Sequence, residues 1–190
     1  MSELTIHQIH TPTEFTRYES GIRRLLFLFR ETLLDDFCDP EPEMLVRNTA
    51  SYLPWLWLLV DSENQVLALA CLTEIIPGRH AYVHGVSDPA IRKHPGISML
   101  AETMLSCAFE TLGVNKVKAE IEATSLGAKG FCLKMGFTRE GCLRRDNRIR
   151  GQWRDVLIYS LFAERYFLDK ARKAQSEAHA LTEQFRDHQA

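Results

Sequence analysis

A chain of 190 residues, 45% hydrophobic and 25% charged, has the size and balance of one soluble globular domain with a real core, which excludes disordered and fibrous classes. The formal net charge of −2 supplies no global field for nucleic acid, so none is expected as a partner. The longest apolar run, Leu53 to Val60, falls far short of the roughly 20 residues of a membrane span. The opening Met1-Ser2-Glu3-Leu4-Thr5 lacks the basic and apolar regions of a signal peptide, so a cytoplasmic protein without membrane attachment is expected.

In chain order, Leu4, Ile6 and Ile9 suggest a first strand. Thr11-Pro12-Thr13-Glu14 matches a capping box with proline at the first helical position. The helix it opens is expected to be interrupted at Gly21 and to continue through Ile22, Leu25, Leu26, Phe29 and Leu33 to about Asp36, before Pro40 and Pro42. Trp55 to Val60 and Gln65 to Ile76 read as two antiparallel strands around the polar turn Asp61-Ser62-Glu63-Asn64. His80 to Val86 is a further strand, followed by the loop Arg92-Lys93-His94-Pro95-Gly96. From Ile97 a helix carries Leu100, Ala101, Met104, Ala108 and Leu112 on one face, with Gly113 at its end. A strand (Lys116 to Ala123), a short helix (Leu126 to Met135), two strands between Gly136 and Leu161 and a terminal helix complete the chain. This order predicts one mixed α/β sheet layered with helices. Five widely spaced cysteines with no C-x-x-C pair read as reduced core thiols, and no metal site is expected.

The segment most suggestive of chemistry is Val83 to Leu112. A helix starting directly after a basic loop presents backbone N–H groups and a positive dipole end, which suit a phosphate or pyrophosphate. Gly96 would let the backbone approach that anion.

From about Val83 to Tyr166 the chain resembles the GNAT superfamily of N-acetyltransferases. The family's pyrophosphate loop, Gln/Arg-x-x-Gly-x-Gly/Ala, is matched by Lys93-His94-Pro95-Gly96-Ile97-Ser98. A second block is matched by Ser125, Ala128 and Lys134-Met135-Gly136-Phe137, and a third by Gly136 to Arg144 with Asp155 and Ile158-Tyr159-Ser160. The third block looks like the branch that acetylates N-terminal amines of ribosomal proteins. Ser98, Ser125 and Cys132 stand where the family carries glycine or alanine, asparagine and tyrosine. The resemblance implies a central mixed, mostly antiparallel sheet flanked by helices over residues 1–165, with an added helix over 166–190. It also implies acetyl-CoA as cosubstrate and an amine, either a small molecule or a protein N-terminus, as acceptor. The coenzyme residues it implies are Gly85, Val86, Arg92, Lys93, His94, Gly96, Ile97, Ser98, Ser125 and Ala128, with a backbone N–H near Gly85 and Val86 meeting the thioester oxygen.

An amine attacks only when neutral, and reference pKa values of about 8 for an α-amine and 10.4 for lysine mean that a base must take its proton. His84 is the first candidate, with Glu74, Glu120 and Glu122 behind it; Cys132, at the family's tyrosine position, is the candidate acid. The six acids Glu31, Asp35, Asp36, Asp39, Glu41 and Glu43 are either a solvated helix end or a wall that attracts a cationic amine. The arginine-rich hairpin, Arg139 to Arg154, is either a charged edge or a contact for an acidic partner or RNA. The terminal helix carries Phe167, Ala171, Ala174, Ala178, Leu181 and Phe185 at heptad spacing, which leaves a homodimer contact or docking on its own domain open. A catalytically inert member of the same fold is the alternative function.

Overall fold

A computed structural model describes the backbone of residues 3–33 and 42–187 and the side chains of residues 3–29 and 43–180. Glu31, Asp35, Asp36, Asp39 and Glu41 of the acidic run, and Leu181 and Phe185 of the terminal stripe, lie outside the described side chains. The strands are β1 (Thr5–Ile9), β2 (Leu56–Val60), β3 (Val66–Ile76), β4 (His80–Ser87), β5 (Lys116–Glu122), β6 (Thr138–Ile149) and β7 (Gln152–Phe162). The helices are α1 (Pro12–Leu33), α2 (Pro42–Ala50), α3 (Pro95–Ser106), α4 (Leu126–Lys134) and α5 (Ala163–Asp187). The seven strands form one sheet in the order β1-β2-β3-β4-β5-β7-β6. Every neighbouring pair is antiparallel except β4 and β5, which run parallel.

The capping box forms as the sequence implies. Glu14 N–H donates to Thr11 Oγ1 at 3.2 Å, and Thr11 N–H donates to Glu14 Oε2 at 3.1 Å. Phe15, Tyr18, Ile22, Leu25 and Leu26 then recur at helical spacing and are buried on one sheet face, so burial of this stripe holds α1 in place. The expected break at Gly21 does not occur, since α1 runs through it. The reason for glycine is tertiary: a Cβ there would sit 2.8 Å from Val66 Cγ2 on β3. A second helix does precede β2, but it is the separate α2 after Pro42.

Alternation of side chains across the pleat divides the core in two. Leu56, Leu58, Val60, Val66, Leu69 and Cys71 pack with α1 and α2 on one face. Trp57, Leu59, Ala68, Ala70, Leu72, Val117, Ala119 and Ile121 pack with α3 on the other. The last turn after α3, Cys107–Thr111, is wound as a π-helix, and Gly113 follows with φ +62°, the left-handed geometry glycine adopts without strain.

Helix α5 begins at Ala163, three residues before the expected boundary, and its first turns dock on their own chain. Tyr166 stacks on Phe109 with centroids 4.6 Å apart. Tyr166 OH and Lys170 Nζ both donate to Glu110 Oε1, at 2.5 and 2.6 Å, and Lys173 pairs with Glu102 at 3.3 Å. These donors hold the Glu110 carboxyl down at about 2, Lys170 contributing most. From Lys170 to Ala180 every residue of α5 is exposed.

Candidate active site

The site arises where β4 and β5 stop pairing. Parallel strands hydrogen-bond for only three positions, His80 with Lys116, Ala81 with Val117 and Tyr82 with Lys118. Beyond them β4 continues to Ser87 and β5 to Glu122 as strands without each other as partner. The sheet therefore splays open toward the ends of both strands, and the backbone edges of Val83–Val86 and Ala119–Glu122 border the gap.

Period-2 alternation puts Tyr82 and His84 of β4 on the same face as Lys118 and Glu120 of β5. Had the register continued, His84 and Glu120 would be direct neighbours; the splay instead makes them its two walls. Lys118 leans over the Tyr82 ring, 4.8 Å from its centroid. His84 Nε2 lies 3.0 Å from Thr73 Oγ1 on β3. The His84 ring is crowded enough by surrounding atoms that desolvation lowers its pKa below the ordinary imidazole value, while Glu74 pulls in the opposite direction. Burial raises the Glu120 pKa, and the charges of Asp146 and Glu74 raise it further, with Lys118 opposing. The shift of His84 favours the neutral imidazole that can accept a proton, and the shift of Glu120 makes its carboxylate a stronger base than an ordinary one.

Two local backbone irregularities set the carboxylates around this wall. Glu74 has φ +45° and lies in the shift of register that interrupts β3–β4 between Thr73 and Ile76. A left-handed non-glycine residue costs about 1 kcal/mol or more. Arg145, φ +51°, lies in the corresponding shift of β6 between Leu143 and Asn147, beside Asp146. Glu74 was legible as a candidate from the sequence; Thr73 and Asp146 were not, because Thr73 meets His84 only through the pairing of β3 with β4 and Asp146 lies in the irregular stretch of β6, and a local pattern records neither.

The opposite face of the gap holds the α3 start. Asp88 opens a 3₁₀ turn, Pro89–Ile91, by accepting from Ala90 N–H at 3.0 Å. Arg24 of α1 pins that turn, bonding Asp88 Oδ2 at 3.1 Å and the Val66 carbonyl at 2.7 Å. Arg92 lies over the Phe29 ring at 5.6 Å, Lys93 is exposed, and α3 begins at Pro95, two residues earlier than expected. The expected free amides are not free here: Gly96 N–H donates to His94 Nδ1 at 3.0 Å, and Ile97 N–H to the His94 carbonyl at 3.1 Å. Gly96 is buried, and a Cβ there would meet His94 Nδ1, Leu59 Cδ2 and Leu4 Cδ1 at 3.1–3.3 Å. Its lack of a side chain thus answers to packing as well as to any anion. Ser98, in the first turn, accepts from Lys134 Nζ on α4 at 3.0 Å.

Ser125 is the N-cap of α4 but makes no side-chain capping bond, so its hydroxyl is not committed there. Ala128 is exposed on α4. Gly85 and Val86 lie on the splayed part of β4. Cys132 packs against the α3-side core, and burial pushes its thiol up to about 11. Among the described residues no helix is long and apolar enough to cross a membrane.

Comparison with solved structures places this architecture. It superposes on a GCN5-related N-acetyltransferase from Brucella melitensis (TM-score 0.70, 14% identity, 90% of this chain and 81% of that one). It superposes comparably on mutant forms of the spermidine/spermine N-acetyltransferase SpeG from Vibrio cholerae (TM-score 0.68, 17% identity, 88% and 98%). A third neighbour is the ribosomal-protein-S5-alanine acetyltransferase of Vibrio fischeri (TM-score 0.67, 15% identity, 87% and 96%). The fold is that of the GCN5-related N-acetyltransferases. Within the GNAT fold, the mostly antiparallel sheet and its flanking helices agree with the sequence-based expectation. A curated relative, the Bacillus subtilis (strain 168) protein "Probable N-acetyltransferase YjcK", is 25% identical over 109 residues, 55% of this chain and 59% of that protein. The match thus spans little more than half of that relative. No protein-family model matches the chain.

Proposed function

We propose that this protein is a cytoplasmic acetyl-CoA-dependent N-acetyltransferase whose acceptor is a primary amine carrying positive charge. The observation that carries this reading is the parting of β4 from β5 after Tyr82 and Lys118, with a cationic helix start on one face and His84 and Glu120 on the other. The donor chemistry fits the residues present: Arg92, Lys93 and Lys134 suit phosphates, and the exposed edge of β4 offers backbone groups to an extended pantetheine arm. Acetyl-CoA supplies the thioester carbonyl.

The chain's own part is to bring the amine in, deprotonate it and stabilise the oxygen. Glu74, Glu120 and Asp146 make the acceptor face negative, which favours arrival of an ammonium group. His84, held by Thr73 and kept neutral by desolvation, accepts the proton as the amine nitrogen bonds to the carbonyl carbon. Glu120 is the second base, across the gap. A backbone N–H near Gly85 or Val86 meets the oxygen that gains charge. The C–S bond then breaks, and the sulfur takes its proton from water. Cys132 contributes little, because a thiol at about 11 gives its proton uphill to a thiolate with a reference value of about 8.5.

Two of the structural neighbours act, by their names, on amines: spermidine or spermine for one and an alanine of ribosomal protein S5 for the other. A panel of polyamines, small monoamines and peptides with free N-termini, assayed for thiol release from acetyl-CoA, tests the reading. Amine-dependent release with at least one cationic acceptor is expected; coenzyme binding without release toward any amine would favour an inert member of the fold.

A further inference from the structure

Of the two ring nitrogens of His84, only Nε2 has a hydrogen-bond partner among the described residues, Thr73 Oγ1 at 3.0 Å. Thr73 is also where β3 departs from regular pairing. Cys71 stands opposite His84 and Thr73 opposite Tyr82, and the register then slips before Ile76. Glu74, the next residue, is left-handed with φ +45°. In an unbroken strand Thr73 and Glu74 would stand on opposite faces. Here both act on one ring, Thr73 through its hydroxyl and Glu74 through a charge that favours the imidazolium.

A neutral imidazole carries its proton on one nitrogen and its lone pair on the other. The nitrogen that takes a proton from the acceptor has to present the lone pair, and Nε2 already faces the Thr73 hydroxyl. That leaves Nδ1. With the lone pair there, the proton sits on Nε2, and the contact with Thr73 is a donation from Nε2–H to Oγ1. The bond survives proton transfer, because Nε2 is a donor in the imidazolium as well, and it strengthens when the donor is charged. The other groups around the ring leave this assignment undisturbed. Burial keeps Cys71 and Tyr52 protonated, Arg24 of α1 is paired with Asp88, and Lys118 and Glu120 stand on β5 across the gap.

We propose that Thr73 is a positioning residue that fixes the Nε2–H tautomer of His84 and so makes Nδ1 the proton acceptor. As the amine nitrogen bonds to the carbonyl carbon, one of its N–H bonds breaks and the electron pair of that bond stays on nitrogen. The proton forms Nδ1–H, and the imidazolium later releases it to water. This deepens the acetyltransferase reading above and rests on it.

Ring-nitrogen NMR of the free protein reads the tautomer, with the His84 signals identified by their loss in His84→Gln. The Nε2–H form is expected at a pH above the imidazole pKa, and no cosubstrate is needed to see it. Kinetics give the second readout. Thr73→Val should lower kcat by roughly tenfold or more with little change in KM for acetyl-CoA, and Thr73→Ser should restore most of the rate. The acid limb of kcat/KM should move to lower pH in Thr73→Val, because the lost acceptor had favoured the imidazolium, and should return in Thr73→Ser. A limb that moves to higher pH would mean that the hydroxyl donates to Nε2. That result, an unchanged kcat in Thr73→Val, or an Nδ1–H tautomer in an active enzyme would overturn the inference and leave the acetyltransferase reading intact. A wild-type protein that releases no thiol with any amine would overturn both.

Discussion

The sheet has a covered half and an open half. In β2 every residue is buried, with Leu56, Leu58 and Val60 facing α1 and α2 and Trp57 and Leu59 facing α3. In β5 only Val117, Ala119 and Ile121 are buried, while Lys116, Lys118, Glu120 and Glu122 form the other row. A strand covered on both faces can contribute only stability, because a ligand has no way to its side chains. A strand covered on one face keeps a polar row in water, and chemistry can use it. His84 closes the covered half and Glu120 opens the other, so the candidate proton-transferring groups lie on the seam.

The largest expected effect lies on that seam. His84→Gln should lower kcat roughly 10²- to 10⁴-fold with little change in coenzyme affinity, the usual cost of removing a general base. In the wild type, kcat/KM should fall as pH drops through a value below the ordinary imidazole pKa of about 6.5, because desolvation lowers that of His84. His84→Gln should lose this acid limb. Were the limb to survive in His84→Gln and disappear in Glu120→Gln, the base would belong to the open half.

Within the covered half, Gly21→Ala should destabilise the protein by about 1–3 kcal/mol in chemical denaturation, as overpacking does. Alanine would favour the helix by up to about 1 kcal/mol, yet its Cβ would meet Val66 Cγ2 at 2.8 Å, and Val66 is fully buried. A more stable variant would show that α1 can lift off β3 freely and that this half is less tightly packed than its burial implies.

The smallest effect is expected at Cys132, in the open half. Cys132→Ala should cost less than tenfold in kcat, because its raised thiol pKa makes it a poor acid for the departing sulfur. A collapse of rate, with His84→Gln active, would move the proton chemistry from the seam to α4.

Much of the architecture was legible because its signals are local. The Thr11–Glu14 capping box, the polar turn at Asp61–Asn64 and the alternation in β4 and β5 depend on neighbours within a few residues, and each lies where its pattern implies. Gly21 misled for the complementary reason: glycine inside a helix reads as a break, and only the approach of Val66 explains why it is there. The terminal stripe was ambiguous alone, and the contacts of Tyr166, Lys170 and Lys173 with Glu110 and Glu102 decided that the first turns dock on their own chain.

The sequence by itself determined a mixed sheet with helices, a helix that follows a basic loop, and His84 on the same strand face as Tyr82. Only the tertiary structure decided that β4 leaves β5 after Tyr82, that Glu74 acts on both His84 and Glu120 while Asp146 acts on Glu120, and that His94 and Lys134 meet the first turn of α3. Strand partners, bulges and contacts 36 residues apart, such as Lys134 with Ser98, arise from how elements pack, and local residue patterns carry no record of that packing.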